Sequence, residues 1–576
     1  MPVKETDVQQ EVTGWRRVPL ARGLTWATRL VGLLAVLSVL VPSARRRFRP
    51  ELAQWFELPH TTRLIGLVLT AVAGVGLMML ATSLRRRKRR AWQVGVVLTS
   101  LLVVTHIMQR HGTFVGLVAA ALLGGFIATR KEFTALPDPV GKLAAVVVFV
   151  ELLTAGFALN WLLLAVRPHM LTSASTAWQR TQHAALALVG VEGPLDFRSH
   201  WLDDFSAGLG LTFGIAALLA GGYFLLRSAE PKATLSEHDE VRLRELITSQ
   251  GHTDSLAYFA LRRDKSVVFS PTGKAAVVYR MLAGVALASG DPLGDVEAWP
   301  GACSAFLEQC RRYGGVPAAL GCSEQGARVW ARYGLDALEL GDEAVVDVSA
   351  FSLEGRAMRG VRQAVSRMRR SGYQVHVQRL ADVTKEKATE LATLAESWLG
   401  KSAERGYSMA LSRFGDPSSD AQCVVVTAEL DGQVRGLLQF VPWGEDGLSL
   451  DLMRRDPHVP DNGLNELMIS DLLAACSGLG VQKVSLNFAI LRASLERGER
   501  IGAGPVSRLW GRLLRLASRW WQIETLYRFN AKFSPSWIPR YLVFGTVRDL
   551  PRVAIAAFEA EGFGGRPPIL LRLLRR

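Results

Sequence analysis

Asp451, Arg454, Glu466 and Asn487 are the residues whose types and spacing best suit catalysis. Leu448, Leu450 and Leu452 take one face of a short strand, which turns Asp451 to the other face. Arg454 follows near the strand end, and Glu466 opens the next helix. Carboxylates so placed suit an ammonium group or act as a proton acceptor. The competing reading makes Glu466 a first-turn acid complementing its helix dipole and pairs Asp451 with Arg454. Asn487 alternates with Val484, Leu486 and Phe488, so its amide suits an oxyanion or carbonyl contact, or else satisfies a strand end.

A second set of residues is cationic. Arg528, Lys532 and Arg540 lie among Tyr527, Phe529, Phe533, Trp537 and Tyr541. Cations interleaved with aromatics suit phosphate binding with stacking of unpaired bases. They suit a lipid headgroup at a membrane interface equally well, and a solvated surface is the third reading. Over 359–370 a helical projection gathers Val361, Ala364, Val365 and Met368 on one side. Arg359, Arg362, Arg367, Arg369 and Arg370 cover the rest, a face fit for a polynucleotide backbone or for water. Arg508–Trp521 reads as a basic helix with tryptophans, suited to a headgroup layer or to packing on the domain, and the tail 567–576 reads the same way.

The elements that must position these residues repeat one plan. The stretches Ser255–Arg262, Ser266–Phe269, Ala275–Met281 and Val285–Ser289 read as strands, followed by a helix over Ala302–Tyr313 and a strand at Val316–Leu320. A helix over Lys385–Leu399 then precedes strands Cys423–Leu430, Val434–Val441 and Leu448–Met453, with Asp431–Gly432 as the hairpin turn. A helix from Asn465 to Ser477 and the strand Val481–Phe488 complete it. This is the plan of an acetyltransferase-like (GNAT-type) unit, done twice in tandem, an α+β domain.

The loops depart from that plan where acetyl-CoA would sit. Arg455–Gly463 holds one glycine, two prolines and acidic residues, and Asp291–Asp295 is no better suited to a pyrophosphate. Acetyl-CoA is therefore not the expected donor, and neither a cofactor nor a metal is expected. The five cysteines, without paired spacing, read as reduced packing residues of a cytosolic domain.

The first part of the chain is different. The 576 residues carry a net charge of +16 with 49% apolar types and a mean hydropathy of +0.17, which excludes a wholly disordered chain. Residues 1–227 account for +12 of that charge and 228–576 for +4. Apolar runs at about 24–42, 64–84, 91–108, 113–129, 143–166 and 205–226 predict a multi-pass α-helical membrane domain of about six transmembrane helices. Inside segments carry more basic residues than the nine outside when both termini are cytoplasmic. Arg45, Arg46, Arg47 and Arg49 run against that topology. Glu151 and Asn160 lie within the fifth run, as an intramembrane site or as a tie between helices. The expected division is 1–227 membrane domain, 228–240 linker, 241–375 and 376–550 the two units, and 551–576 a basic tail.

Several strings resemble the catalytic region of the phosphatidylglycerol lysyltransferases, or multiple peptide resistance factors. They are Phe269–Gly273, Ala286–Gly294, Arg359–Tyr373, Leu450–Arg454, Asn462–Glu466 and Leu526–Tyr541, in order over roughly 235–550. The resemblance implies transfer of an amino acid from aminoacyl-tRNA to the headgroup hydroxyl of phosphatidylglycerol, which lowers membrane negative charge and resists antimicrobial peptides. Read with it, Asp451, Arg454, Glu466 and Asn487 are the candidate catalytic residues, and Asp291, Arg359, Arg362, Arg528, Lys532 and Arg540 the candidate substrate-binding ones. The implied partners are aminoacyl-tRNA, phosphatidylglycerol and the lipid bilayer, with a homo-oligomer left open. The chain looks closer to the short-membrane form fused elsewhere to a lysyl-tRNA synthetase, and no synthetase is expected within its 576 residues. Lysine is the first expectation. The alternatives are alanine or ornithine as the amino acid, diacylglycerol as acceptor, or a non-catalytic lipid flippase or scaffold.

Overall fold

The computed structural model describes residues 19–40, 70, 73–81, 83–84, 88–109, 113–133, 141–166, 171–191, 193–198, 200–226, 233–250, 254–400, 405–459, 462–490 and 523–562. Arg45 to Arg49, the 508–521 stretch and the 567–576 tail lie outside these residues. The chain divides into two compact units, built mainly from Arg16–Glu230 and from Pro231–Cys310 with Gly315–Arg576.

The first unit is helical: α1 (Pro19–Leu40), α2 (Arg89–Gln109), α3 (Thr113–Ala128), α4 (Gly141–Val166), α5 (Ala177–Ala187) and α6 (His200–Leu225). Five of these six helices fall on apolar runs and α5 on none, while residues 73–81, within the 64–84 run, are helical as well. Among the described residues, two stretches are long and apolar enough to cross a bilayer, Lys142–Val166 and Asp203–Leu225, with Gly116–Ala128 shorter. Helices α4 and α6 pack closely where Gly156 leaves room beside Phe213 that a Cβ would fill, and Gly214 of α6 does the same against Leu188 at the end of α5. Buried Asn160 joins them, donating to Ser206 O at 2.9 Å and accepting from Ser206 Oγ at 2.7 Å. Glu151 is exposed, so of the two polar residues only Asn160 makes the tie.

The second unit starts with α7 (Glu237–Gln250). Ser255–Arg262, expected as a strand, is instead a buried 3-10 turn over Ala257–Leu261. Its apolar side chains are enclosed on every side, so no alternation separates strand from turn. Then come β1 (Ser266–Phe269), β2 (Ala275–Leu282), β3 (Val285–Ser289), β4 (Leu293–Gly294), α8 (Trp299–Tyr313), β5 (Val316–Cys322), α9 (Glu324–Arg332) and β6 (Asp336–Asp347). The second run is α10 (Arg359–Arg370), β7 (Gln374–Arg379), α11 (Lys385–Leu399), β8 (Val424–Leu430), β9 (Gln433–Trp443), β10 (Gly447–Arg455), α12 (Leu464–Ala475), β11 (Lys483–Ile490), α13 (Ile523–Ala531), β12 (Ser536–Phe544) and α14 (Leu550–Ala560).

Both runs follow the expected plan: an antiparallel meander, a helix, then a strand parallel to the last of the meander. That parallel pair is β3 with β5 in the first run and β10 with β11 in the second. All the strands form one sheet, ordered β1-β2-β3-β5-β12-β6-β11-β10-β9-β8-β7, with β4 beside β2. The order records an exchange. β6, from the first run, lies against β11 of the second, while β12, from the second run, lies against β5 of the first. β6 and β12 pair with each other at the centre.

Layers of helix cover the sheet. Val361, Val365 and Met368 of α10 and Leu467, Met468 and Leu472 of α12 share a core with Val424, Leu438 and Leu448. Phe306 of α8 and Trp330 of α9 pack with Val277, Tyr279 and Ala319. α14 buries Leu550, Val553, Ala554 and Ala556, so residues 551–560 belong to the fold and not to the tail expected over 551–576. All five cysteines are buried and none forms a disulfide.

Candidate active site

The sheet opens between β10 and β11. Their parallel pairing covers only Gly447 with Lys483, Leu448 with Val484, and Ser449 with Ser485. Past that point β10 stays with β9 as far as Arg455, and β11 stays with β6 as far as Ile490. Each strand is irregular at the split: β10 between Leu450 and Leu452, β11 between Ser485 and Phe488. Bulges bend a strand and re-aim its side chains. The residues placed on them are Asp451 and Asn487.

Asn487 takes φ = 68°, a left-handed conformation that costs a non-glycine residue strain. Its Nδ2 donates to Leu450 O across the split and to Met409 O at 3.4 Å. Half-buried Asp451 accepts from Leu411 N at 2.7 Å through Oδ1 and from Gln439 Nε2 at 2.5 Å through Oδ2. Gln439 is held in turn by Gly415 N, which donates to its Oε1 at 2.7 Å. The stretch 407–411 therefore frames the site, and it is anchored at its other end. Tyr407 Oη donates to Leu287 O at 2.6 Å, and Ser408 Oγ donates to Leu320 O at 3.0 Å.

The corresponding end of the β3–β5 pair is closed. Asp291 follows β3 and accepts from Ser323 N at 2.9 Å and Ser323 Oγ at 2.5 Å, which seats its carboxylate at the start of α9. Beside it lies a buried ionic cluster. Arg540, on β12, donates to Glu343 Oε2 through Nε at 2.8 Å and Nη2 at 2.5 Å, and to Asp254 Oδ1 through Nη1 at 2.8 Å. Ser255 Oγ and Ser485 Oγ both donate to Glu343 Oε1 at 2.5 Å, which ties the cluster to β11. Burial opposes the charge on Arg540, yet the carboxylates of Asp254, Glu343 and Asp291 outweigh it and hold its pKa above the usual value. Burial and repulsion from Asp254 push the Asp291 carboxyl up to about 7, against the pull of Arg540 and Ser323.

The other expected site residues are more dispersed. Glu466, in the first turn of α12, pairs with exposed Lys532 at 2.7 Å. Arg454 is half-buried near the end of β10. Arg528 is exposed on α13, next to Tyr527, whose ring stacks on Trp537 at 4.8 Å. The helix at 359–370 is present, and its buried residues are Met368, Val365, Ala364 and Val361, the face expected. Arg359 and Arg362 are on its exposed side, Arg362 donating to Leu353 O at 2.5 Å.

Arg540 needs correction. It was grouped with surface cations suited to phosphate, but its guanidinium is buried and taken up by Glu343 and Asp254. Strand alternation explains the inward turn, because Arg540 shares a face with buried Leu542 and Phe544. Asp254, Ser255, Glu343, Ser485 and Gln439 were not singled out from the sequence. Each gains its role through partners far away in the chain, and no local spacing signals that.

Comparison with known proteins gives two family matches. Residues 244–544 match the family described as phosphatidylglycerol lysyltransferase, C-terminal, and residues 15–225 match the transmembrane region of lysyl-tRNA synthetase. The lysylphosphatidylglycerol biosynthesis bifunctional protein LysX of Mycolicibacterium gilvum is 40% identical over 565 residues, 95% of this chain and 50% of that protein. Its counterpart from Rhodococcus opacus is 42% identical over 517 residues, 88% of this chain and 45% of that protein. The chain thus spans about half the length of the curated relatives it matches. The solved structure of L-PGS from Bacillus licheniformis aligns with TM-score 0.50 and 21% identity, covering 58% of this chain and 99% of that one, a likeness of fold.

Proposed function

The chain belongs to the phosphatidylglycerol lysyltransferase family, and from that premise we propose that it moves lysine from lysyl-tRNA to a headgroup hydroxyl of phosphatidylglycerol. The observation that carries this reading is the split between β10 and β11, with Asp451 and Asn487 at its apex, inside the region matched by the family. The reaction exchanges one ester for another. The lipid hydroxyl oxygen attacks the aminoacyl carbonyl carbon, a tetrahedral oxyanion forms, and the ribose oxygen leaves with the proton that the lipid hydroxyl gave up. Because the bond types match on both sides, the protein's task is mainly to position two substrates and stabilise charge.

Asp451 serves this reaction best as an ammonium anchor. Leu411 N and Gln439 Nε2 each donate to one of its oxygens, which fixes the carboxylate beside the split. The exposed arginines of α10 and the Tyr527–Trp537 stack beside Arg528 suit the tRNA backbone and an unpaired terminal base. Glu466 and Lys532, paired, border the same run. The buried cluster of Arg540, Glu343 and Asp254 acts at one remove, holding β6, β11 and β12 in register behind the split.

In this reading the first unit is a multi-pass membrane domain with both termini cytoplasmic, which brings the second unit to the lipid from the cytoplasmic side. The test uses the full chain in phosphatidylglycerol vesicles, supplied with lysyl-tRNA. Wild type forms lysyl-lipid, and Asp451→Asn, folded by its melting curve, loses roughly 100-fold or more of the rate, the cost of removing a charged hydrogen-bonding partner. Full activity in Asp451→Asn would remove this residue from the mechanism.

A further inference from the structure

Two carbonyl groups decide which way the Asn487 amide faces. Leu450 O and Met409 O can only accept, so the nitrogen must lie on their side and Oδ1 on the other. Both hydrogens of Nδ2 are then committed. Asn487 has no donor left for an oxyanion, and the role expected from the sequence is reversed in polarity: what it offers is an acceptor.

That acceptor is costly as it stands. Asn487 is 9% exposed, and its Oδ1 is buried with no hydrogen-bond partner among the described residues. An amide oxygen withdrawn from water without a donor is a penalty that folded proteins avoid. The same residue also carries the left-handed backbone strain, at φ = 68°. Two costs therefore meet on one side chain, at the point where the sheet parts. A ligand that supplies the missing donor explains why both are kept.

The neighbouring chemistry identifies the donor. Asn487 binds the carbonyl of Leu450, the residue before Asp451, and the carbonyl of Met409, two residues before the amide that holds Asp451. A neutral acceptor beside a carboxylate suits a donor that carries positive charge. We infer that Asn487 Oδ1 and Asp451 form a subsite for a primary ammonium group of the aminoacyl donor. The inference rests on the reading of the split as the site of aminoacyl transfer. A lysyl ester has two such groups, on the α-carbon and at the end of the side chain, and the chemistry of the subsite is the same for either.

The test compares three donors with the full chain in phosphatidylglycerol vesicles: lysyl-tRNA, Nα-acetyl-lysyl-tRNA and Nε-acetyl-lysyl-tRNA. With wild type, one acetylated donor transfers about 10–100-fold less efficiently than lysyl-tRNA, as expected for a lost hydrogen bond to a charged group. In Asn487→Gly, which accepts the left-handed backbone without strain, that penalty shrinks about tenfold. Which acetylated donor suffers identifies the ammonium that is bound. Equal use of all three donors by wild type overturns the inference, and so does a penalty that Asn487→Gly leaves unchanged. No transfer from lysyl-tRNA itself would instead overturn the transferase reading, and the subsite with it.

Discussion

At the scale of the residue, Asn487 is where stability and function pull apart. Asn487→Gly removes strain and the orphaned oxygen but leaves two carbonyls without their donor, so the terms nearly cancel and stability stays within about 1 kcal/mol of wild type. Asn487→Leu keeps the strain and sets an apolar group against those carbonyls, and costs about 2–3 kcal/mol. Urea titrations of the two variants check both figures. Asp291 makes a prediction with pH. Its carboxyl is raised to about 7 in the folded state, above its unfolded value, so its contribution to stability is fully present at low pH and is lost as pH rises toward and through 7. Asp291→Asn cannot ionise. Its melting temperature relative to wild type should therefore climb between about pH 4.5 and pH 8, and a flat difference would mean that the carboxyl is not held neutral.

Residues were legible in the sequence where their roles depend on near neighbours. Helical spacing placed Glu466 in a first turn and the arginines of 359–370 outward, whereas the leucine alternation that was to place Asp451 fails, because the irregularity between Leu450 and Leu452 puts Leu452 in a different core from Leu448 and Leu450. Residues whose roles depend on distant partners were not legible. Arg540 read as one cation among aromatics because nothing near it in sequence announces Glu343 or Asp254. The polarity of Asn487 was equally hidden, since it is set by Met409 and Leu450, which lie 78 and 37 residues away.

At the scale of the element, the exchange of β6 and β12 governs how the second unit folds. Each run ends by placing a strand in the other's half of the sheet, so neither half holds a complete sheet alone. Expressed separately, 241–375 and 376–550 should lack the sharp melting transition of the intact unit, which itself should unfold in one step. Two independently folding halves would contradict this. The meander, helix and parallel strand of each run were readable from alternation and turn residues. β6 and β12 were not assigned, because their place is fixed by partners from the opposite run. Helix α10 carries a separate prediction. Gln at Arg359 and Arg362 should leave its buried face intact while weakening tRNA binding, and the slope of log affinity against log salt should fall by about 1.5–2.

For the whole molecule, the +16 charge divides by place and by purpose. The +12 on residues 1–227 accompanies apolar helices and reads as a signal of membrane topology. The +4 on the remainder is too small to draw in tRNA by overall attraction, so in the proposed reaction that task falls to local arginine clusters. The measurement that bears most directly on this account is transfer of labelled lysine from preformed lysyl-tRNA into chloroform-extractable lipid, by the full chain in phosphatidylglycerol vesicles, with and without ribonuclease. The account predicts labelled lipid that is abolished when ribonuclease is added first. Label that survives prior ribonuclease, or no labelled lipid at all from a folded chain, would contradict it.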